Sequence, residues 1–166
     1  MTPTAPDPPL LDAARAAFLA GPVSINVASR DAALVPSVAR AYGCRVDAGR
    51  RVTLFLAEAR AAAVLRDLAA GAPIAVIFSR PRTHVSLQLK ADRAELMPLT
   101  EADRAIMHAY ADAFGAEVRA LAHSAAFAEK LMQGCFEAAV AARFTPTTLF
   151  EQTPGPRAGA RLEPRP

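Results

Sequence analysis

The sequence predicts an α+β domain built on an antiparallel β-barrel with peripheral helices. Three observations predict it. Residues Thr83–Asp92 alternate without a fault, Val52–Glu58 and Ile74–Ser79 are nearly continuous apolar runs, and the strands come as hairpins instead of regular βαβ units. In the alternating stretch, Val85, Leu87, Leu89 and Ala91 point one way, and His84, Ser86, Gln88, Lys90 and Asp92 the other. The polar row is either a solvated outer face or the wall of a polar ligand site. The two apolar runs read as strands covered on both faces, sandwiched between layers or lying in a closed barrel packed on its outside.

The elements follow in order. Residues 1–9 are rich in proline and read as an extended arm. Leu10–Ala20 is a short helix with Leu11, Ala14, Phe18 and Leu19 on one side, ended by Gly21-Pro22. Val23–Arg30 alternates, the turn at Arg30-Asp31 leads to a strand at Pro36–Val46, and Asp47-Ala48-Gly49 makes the next turn. After Val52–Glu58, the spacing of Ala61, Val64, Leu65 and Leu68 predicts a helix over Arg60–Ala70, stopped by Gly71. Ile74–Ser79 and an alternating strand at 83–97 come next. Thr100 and Asp103 form an approximate capping box for a helix whose stripe is Ile106, Met107, Tyr110, Phe114, Val118 and Leu121. Glu117 falls inside that stripe, which predicts a bend near Gly115 or an edge where the carboxylate escapes. A helix over Ala125–Gln133 ends at Gly134, a last strand spans Cys135–Phe144, and residues 145–166 form an extended tail. The whole, 1–166, reads as a single domain, with 10–144 as its body; removal of Gly159–Pro166 is expected to leave folding intact.

Composition excludes several classes. A 52% hydrophobic share is ample for a core, and the net charge of +3 is spread too diffusely to make a nucleic-acid footprint. Cys44 and Cys135 fit no metal or redox spacing and read as reduced core thiols. The N-terminus carries no secretory pattern and no segment reaches a membrane-spanning length, so the expected location is cytoplasmic, with neither nucleic acid nor membrane as a partner. There is no Walker, Rossmann or Gly-x-Ser-x-Gly motif, and His108 and His123 lack the closely spaced partners of a metal site.

Two arginines stand out. Arg60 opens a helix directly after an apolar strand, where a cation opposes the positive end of the helix dipole. It is either paired with Glu58 or solvent, or it meets a phosphate beside the orphan helix N–H groups. Arg40 lies within a strand on the face of Val38, and it wants either a barrel-end ion pair or a bound anion. Ser86, Gln88 and Lys90 supply a third polar element.

Together these pieces resemble the pyridoxamine 5′-phosphate oxidase-like, FMN-binding split-barrel family. The resemblance runs from Gly21 to Lys90 and includes the hairpin with Pro36, the strand Val52–Glu58 followed by the helix of Arg60, and Ser86-Leu87-Gln88-Leu89-Lys90; the ending Thr153–Gly159 also looks like tails of bacterial members. It implies a split antiparallel β-barrel homodimer with FMN at the subunit interface. Arg60 would hold the flavin phosphate, Ser37 to Arg40 would supply further contacts, and Gln88, flanked by Ser86 and Lys90, would touch the flavin. Where the family's namesake oxidases carry Arg-Lys this chain has Arg60-Ala61, so vitamin B6 oxidation is not implied. Two functions remain: an FMN-dependent oxidoreductase or flavin reductase-like protein with no side chain named as catalytic, or a split barrel that binds haem, a deazaflavin or another ligand without FMN turnover. The homodimer is expected to place the 52–58 and 83–92 strands near the shared surface.

Overall fold

Asp12 starts the first helix by accepting the Arg15 N–H on its carboxylate at 2.7 Å. The computed structural model describes residues 10–164, so the arm expected for 1–9 lies outside the described residues. The order is α1 (Ala13–Leu19), β1 (Ser24–Arg30), β2 (Pro36–Val46), β3 (Val52–Ala57), α2 (Glu58–Ala69), β4 (Ile74–Ser79), β5 (Ser86–Ala91), β6 (Glu95–Pro98), α3 (Glu101–Arg119), α4 (Ala125–Met132), β7 (Ala139–Phe144) and β8 (Thr148–Glu151).

All eight strands pair antiparallel in one sheet, in the order β6-β7-β3-β2-β1-β4-β5-β8. Its two edges, β6 and β8, do not pair, so the barrel is split and not closed. The inner face carries Ile25, Val27, Ala41, Leu54, Leu56, Val76, Phe78, Leu89 and Leu149, all fully or almost fully buried. Each large side chain buried there contributes about 1.5–3 kcal/mol. Helix α2 packs on β2, β1 and β6, burying Val64 and Leu68, and Gly71 at φ +82° ends it as expected.

Outside the sheet, α3 crosses β2. It is held at its start by the Thr100–Asp103 capping box and by Arg45, whose Nε donates to Asp103 at 2.6 Å. The approach is close because β2 bulges between Ala41 and Cys44. Gly43 takes φ +113° there, and a Cβ would stand 3.3 Å from both Phe55 and Tyr110. The helix runs unbroken through Gly115, and the buried Glu117 accepts the Arg82 N–H at 3.4 Å, so the neighbouring turn gives its carboxylate a partner.

Four expectations change. The stretch 83–97 is two strands: His84 sits at φ +58° in a turn and leaves Val85 exposed, and pairing stops at Ala91 before resuming at Glu95. The strand expected from Cys135 begins at Ala139. The tail contains β8, a short Thr-Leu-Phe-Glu run, and is laid back on it by bonds from Gly159 N–H to the Glu151 carbonyl (2.7 Å) and from Leu162 N–H to the Leu149 carbonyl (2.8 Å). Finally, β3 is buried at all six residues as predicted, but β4 alternates, with Ala75 and Ile77 half-buried.

Candidate functional site

Alternation along β2 puts Arg40 on the outer face with Val38, and the bulge that follows Ala41 lets α3 lie close over it. The Arg40 guanidinium stacks 4.5 Å from the centre of the Phe114 ring, and it donates to Ser24 Oγ and Tyr110 Oη, each at 3.3 Å. Its Nε is buried with no hydrogen-bond partner, and no carboxylate pairs with it among the described residues. The barrel-end ion pair is therefore absent among those residues. A guanidinium half-removed from water onto an aromatic face, with a donor left over, is suited to an anion. Tyr110 fixes the arrangement: its hydroxyl donates to the Val23 carbonyl at 2.8 Å, and burial pushes the phenol up to about 12.

Arg60 lies in the first turn of α2. The helix begins at Ala57 without a side-chain cap, and the Glu58 N–H is taken by the Ala138 carbonyl at 2.9 Å. The next N–H groups have no intrahelical acceptor. Arg60 forms no ion pair with Glu58; its Nη1 donates to Tyr42 Oη at 3.2 Å. A Cβ on Gly134 would lie 4.0 Å from Arg60 Nη2, which places the 133–138 turn against the guanidinium. Within that turn, burial raises the Cys135 thiol, while Arg60 and Arg40 both act to lower it. One thiol thus feels both cations. Arg60 thus stands at the uncapped end of a helix against the 133–138 turn, where the Glu137 carboxylate lies nearer still to Gly134 (3.8 Å), and Arg40 stands under α3 on the neighbouring strand. A cation beside free helix N–H groups is suited to an anion.

The other sequence-predicted residues separate. Ser37 points to the inner face and donates to Asp67 at 2.6 Å in the core, so its side chain is not with Arg40. Ser86 Oγ lies 2.7 Å from Ser79 Oγ and 3.0 Å from the His84 carbonyl oxygen. Gln88 accepts from Gln152 Nε2 at 3.1 Å, and Lys90 Nζ stands 4.9 Å from the centre of the Phe150 ring. Register places Arg40, Asn26, Ile77, Gln88 and Phe150 in one row across β2, β1, β4, β5 and β8. Arg40 and Gln88 are thus three strand spacings apart, about 14 Å.

Sequence reasoning missed Tyr42, Tyr110, Phe114 and Cys135 as parts of the site. No local pattern marks them, because α3 and the 133–138 turn arrive from distant sequence. It also missed the bare half of the outer face. Leu34, Val35 and Val38 are 66, 58 and 68% exposed, beside half-buried Ala28, Ala75 and Ile77.

No family model and no curated protein matches the sequence. Solved structures do match the fold. A candidate pyridoxamine 5′-phosphate oxidase from Lactobacillus delbrueckii is 13% identical, with a TM-score of 0.53 over 84% of this chain and 93% of that one. HupZ of Group A Streptococcus is 13% identical, with a TM-score of 0.55 over 90% and 100%. A conserved hypothetical protein of Mycobacterium tuberculosis is 15% identical, with a TM-score of 0.50 over 89% and 88%. The chain has the split-barrel fold of pyridoxamine 5′-phosphate oxidase-like proteins.

Proposed function

We propose that this chain is an FMN-binding split-barrel flavoprotein that acts as a homodimer in redox chemistry of the oxidoreductase or flavin reductase type. One observation carries the reading: Arg40, on β2 under α3, and Arg60, at the uncapped start of α2, form no ion pair among the described residues. Flavin would supply the electron transfer; the protein would bind and orient it. Arg60 and Arg40 would hold the phosphate. Gln88 and Lys90 lie on the bare half of the outer face, where a ring system and a second copy have room. The expected use of the 52–58 strand in the dimer changes, because every residue of β3 is already buried. Leu34, Val35 and Val38 offer the apolar surface instead.

Fluorescence titration with FMN and riboflavin tests the phosphate. A charge-assisted bond is worth about 1.5–3 kcal/mol, so Arg60→Ala should weaken FMN roughly ten- to a hundredfold and leave riboflavin unchanged. Gln88→Ala should weaken both alike. Equal losses on Arg60→Ala would move the phosphate elsewhere. The visible spectrum of the purified protein separates a flavin from a Soret-absorbing haem.

A further inference from the structure

The chain that leaves α3 and returns to the sheet is lightly anchored. Between residues 121 and 138 only Ala128 and Cys135 are buried, while Leu121, Phe127 and Phe136 are exposed. Left-handed backbone stands on either side of α4, at Ala122 (φ +63°) and at Gly134 (φ +73°), so the helix joins its neighbours through tight turns. Segments with so few buried contacts open well below the free energy of global unfolding. The 133–138 end is held by a hydrogen bond from the Glu58 N–H to the Ala138 carbonyl (2.9 Å) and by the Phe136 ring lying flat on His108, centroids 4.2 Å apart at 11°.

That hydrogen bond matters for what it occupies. The Glu58 N–H is the first donor of a helix with no side-chain cap, in the row of donors an anion would use. Glu137 adds a carboxylate to the same turn, 3.8 Å from the point where a Gly134 Cβ would stand, with Arg60 Nη2 4.0 Å from that point. The segment therefore sets a carbonyl oxygen and a negative charge where an anionic ligand would sit. We propose that residues 123–138 form a lid that closes the start of α2 with the Ala138 carbonyl and opens at the Ala122 and Gly134 turns when an anion claims the Glu58 N–H. The inference rests on the reading of this helix start as the phosphate site and adds its regulation. Ligand and lid compete for one donor, so the apparent affinity scales with the open fraction. Whatever loosens the lid must tighten the ligand by the same factor.

Cys135 reports the lid, because its thiol is wholly buried within it. The full chain is treated with uncharged N-ethylmaleimide at fixed pH, and the labelled cysteine is identified by mass spectrometry. Cys44 should stay unlabelled: it bonds the Leu19 carbonyl, and burial pushes its thiol up to about 12. Phe136→Ala and His108→Ala change exposed side chains, and each should speed Cys135 labelling about three- to tenfold, the double variant no more than either alone. Each should tighten FMN by the same factor and leave riboflavin unchanged. Inorganic phosphate should speed labelling of the wild type saturably, and sodium chloride of equal ionic strength should not. Faster labelling in the variants with unchanged FMN affinity would overturn the lid and leave the phosphate reading standing. Phosphate-accelerated labelling without any binding of FMN would support the lid and overturn the flavin reading. Cys44 labelled as fast as Cys135 would mark global unfolding, and labelling that phosphate slows or leaves unchanged would mark a cover that does not yield to its ligand; either would overturn the proposal.

Discussion

Two halves of the same sheet face meet different fates. Over β3 and the bulged end of β2, the outer face lies under α3 and the 133–138 turn, and Tyr42 and Phe55 are wholly buried. Over β1, β4, β5 and β8, the same face has no helix, and Ala75 and Ile77 are only half-buried. Yet the parent runs Val52–Ala57 and Ile74–Ser79 are equally apolar in sequence. Apolarity on both sides of a strand reports that something covers it, not what does. For β3 the cover is intramolecular. For β4 it is left to whatever else binds, and the two arginines sit on the boundary between the halves.

The largest effect that breaks this comparison is Phe55→Ala. It should cost about 4 kcal/mol as a cavity under α3, measured by urea unfolding, whereas Ile77→Ser on the bare half should cost under about 1. Similar losses would show the two halves to be equally covered. Next comes Asp103→Asn, which releases α3 from Arg45 and should cost about 2 kcal/mol at pH 7. Burial alone would raise the Asp103 carboxyl, but Arg45 and the Thr100 N–H and hydroxyl outweigh it and hold the group below the ordinary carboxylate range. A depressed carboxylate stabilises above its unfolded value of about 3.9 and loses that contribution as pH falls through the folded value. The gap between wild type and Asp103→Asn should therefore close below about pH 4; a gap constant down to pH 2 would refute the linkage.

Removal of Gly159–Pro166 deletes the Leu162–Leu149 bond and should cost about 1–2 kcal/mol while leaving a folded protein. Circular dichroism melts read this directly, and complete unfolding would mean that the tail is part of the core. The smallest effect on stability, under about 0.5 kcal/mol, is expected from Val38→Asp. Its effect on mass should be large, turning a dimer into a monomer by light scattering. An unchanged dimer would place the two-fold contact away from the bare half.

Much of the fold was legible because periodicity is local. Pro36–Val46 and Ile74–Ser79 end where the pattern ends, and Thr100–Asp103 forms its capping box. The strand β8 was not legible, because four residues between prolines carry too short a period, and its hydrogen bonds go to a segment some sixty residues earlier. Arg40 and Arg60 were legible as anomalies of charge in an apolar or dipole context. Ser37 was misplaced because it was treated together with Arg40, although odd and even positions of a strand face opposite ways. Tyr42 and Cys135 depended on the helical excursion folding back, which no window of sequence contains.

The Arg15 side chain has a further consequence. One of its nitrogens, Nη1, donates to the Leu10 carbonyl at 2.7 Å and to the Glu163 carbonyl at 3.1 Å. The first and last described stretches of the chain are thus clasped by a single atom, and the polypeptide is nearly a closed ring. A short linker joining those ends, with new termini opened at the exposed 121–124 turn, should give a circular permutant that folds to the same barrel. In that permutant the excursion that buries Cys135 would begin at a free end. The cover over the two arginines could then be loosened without touching any residue that contacts them.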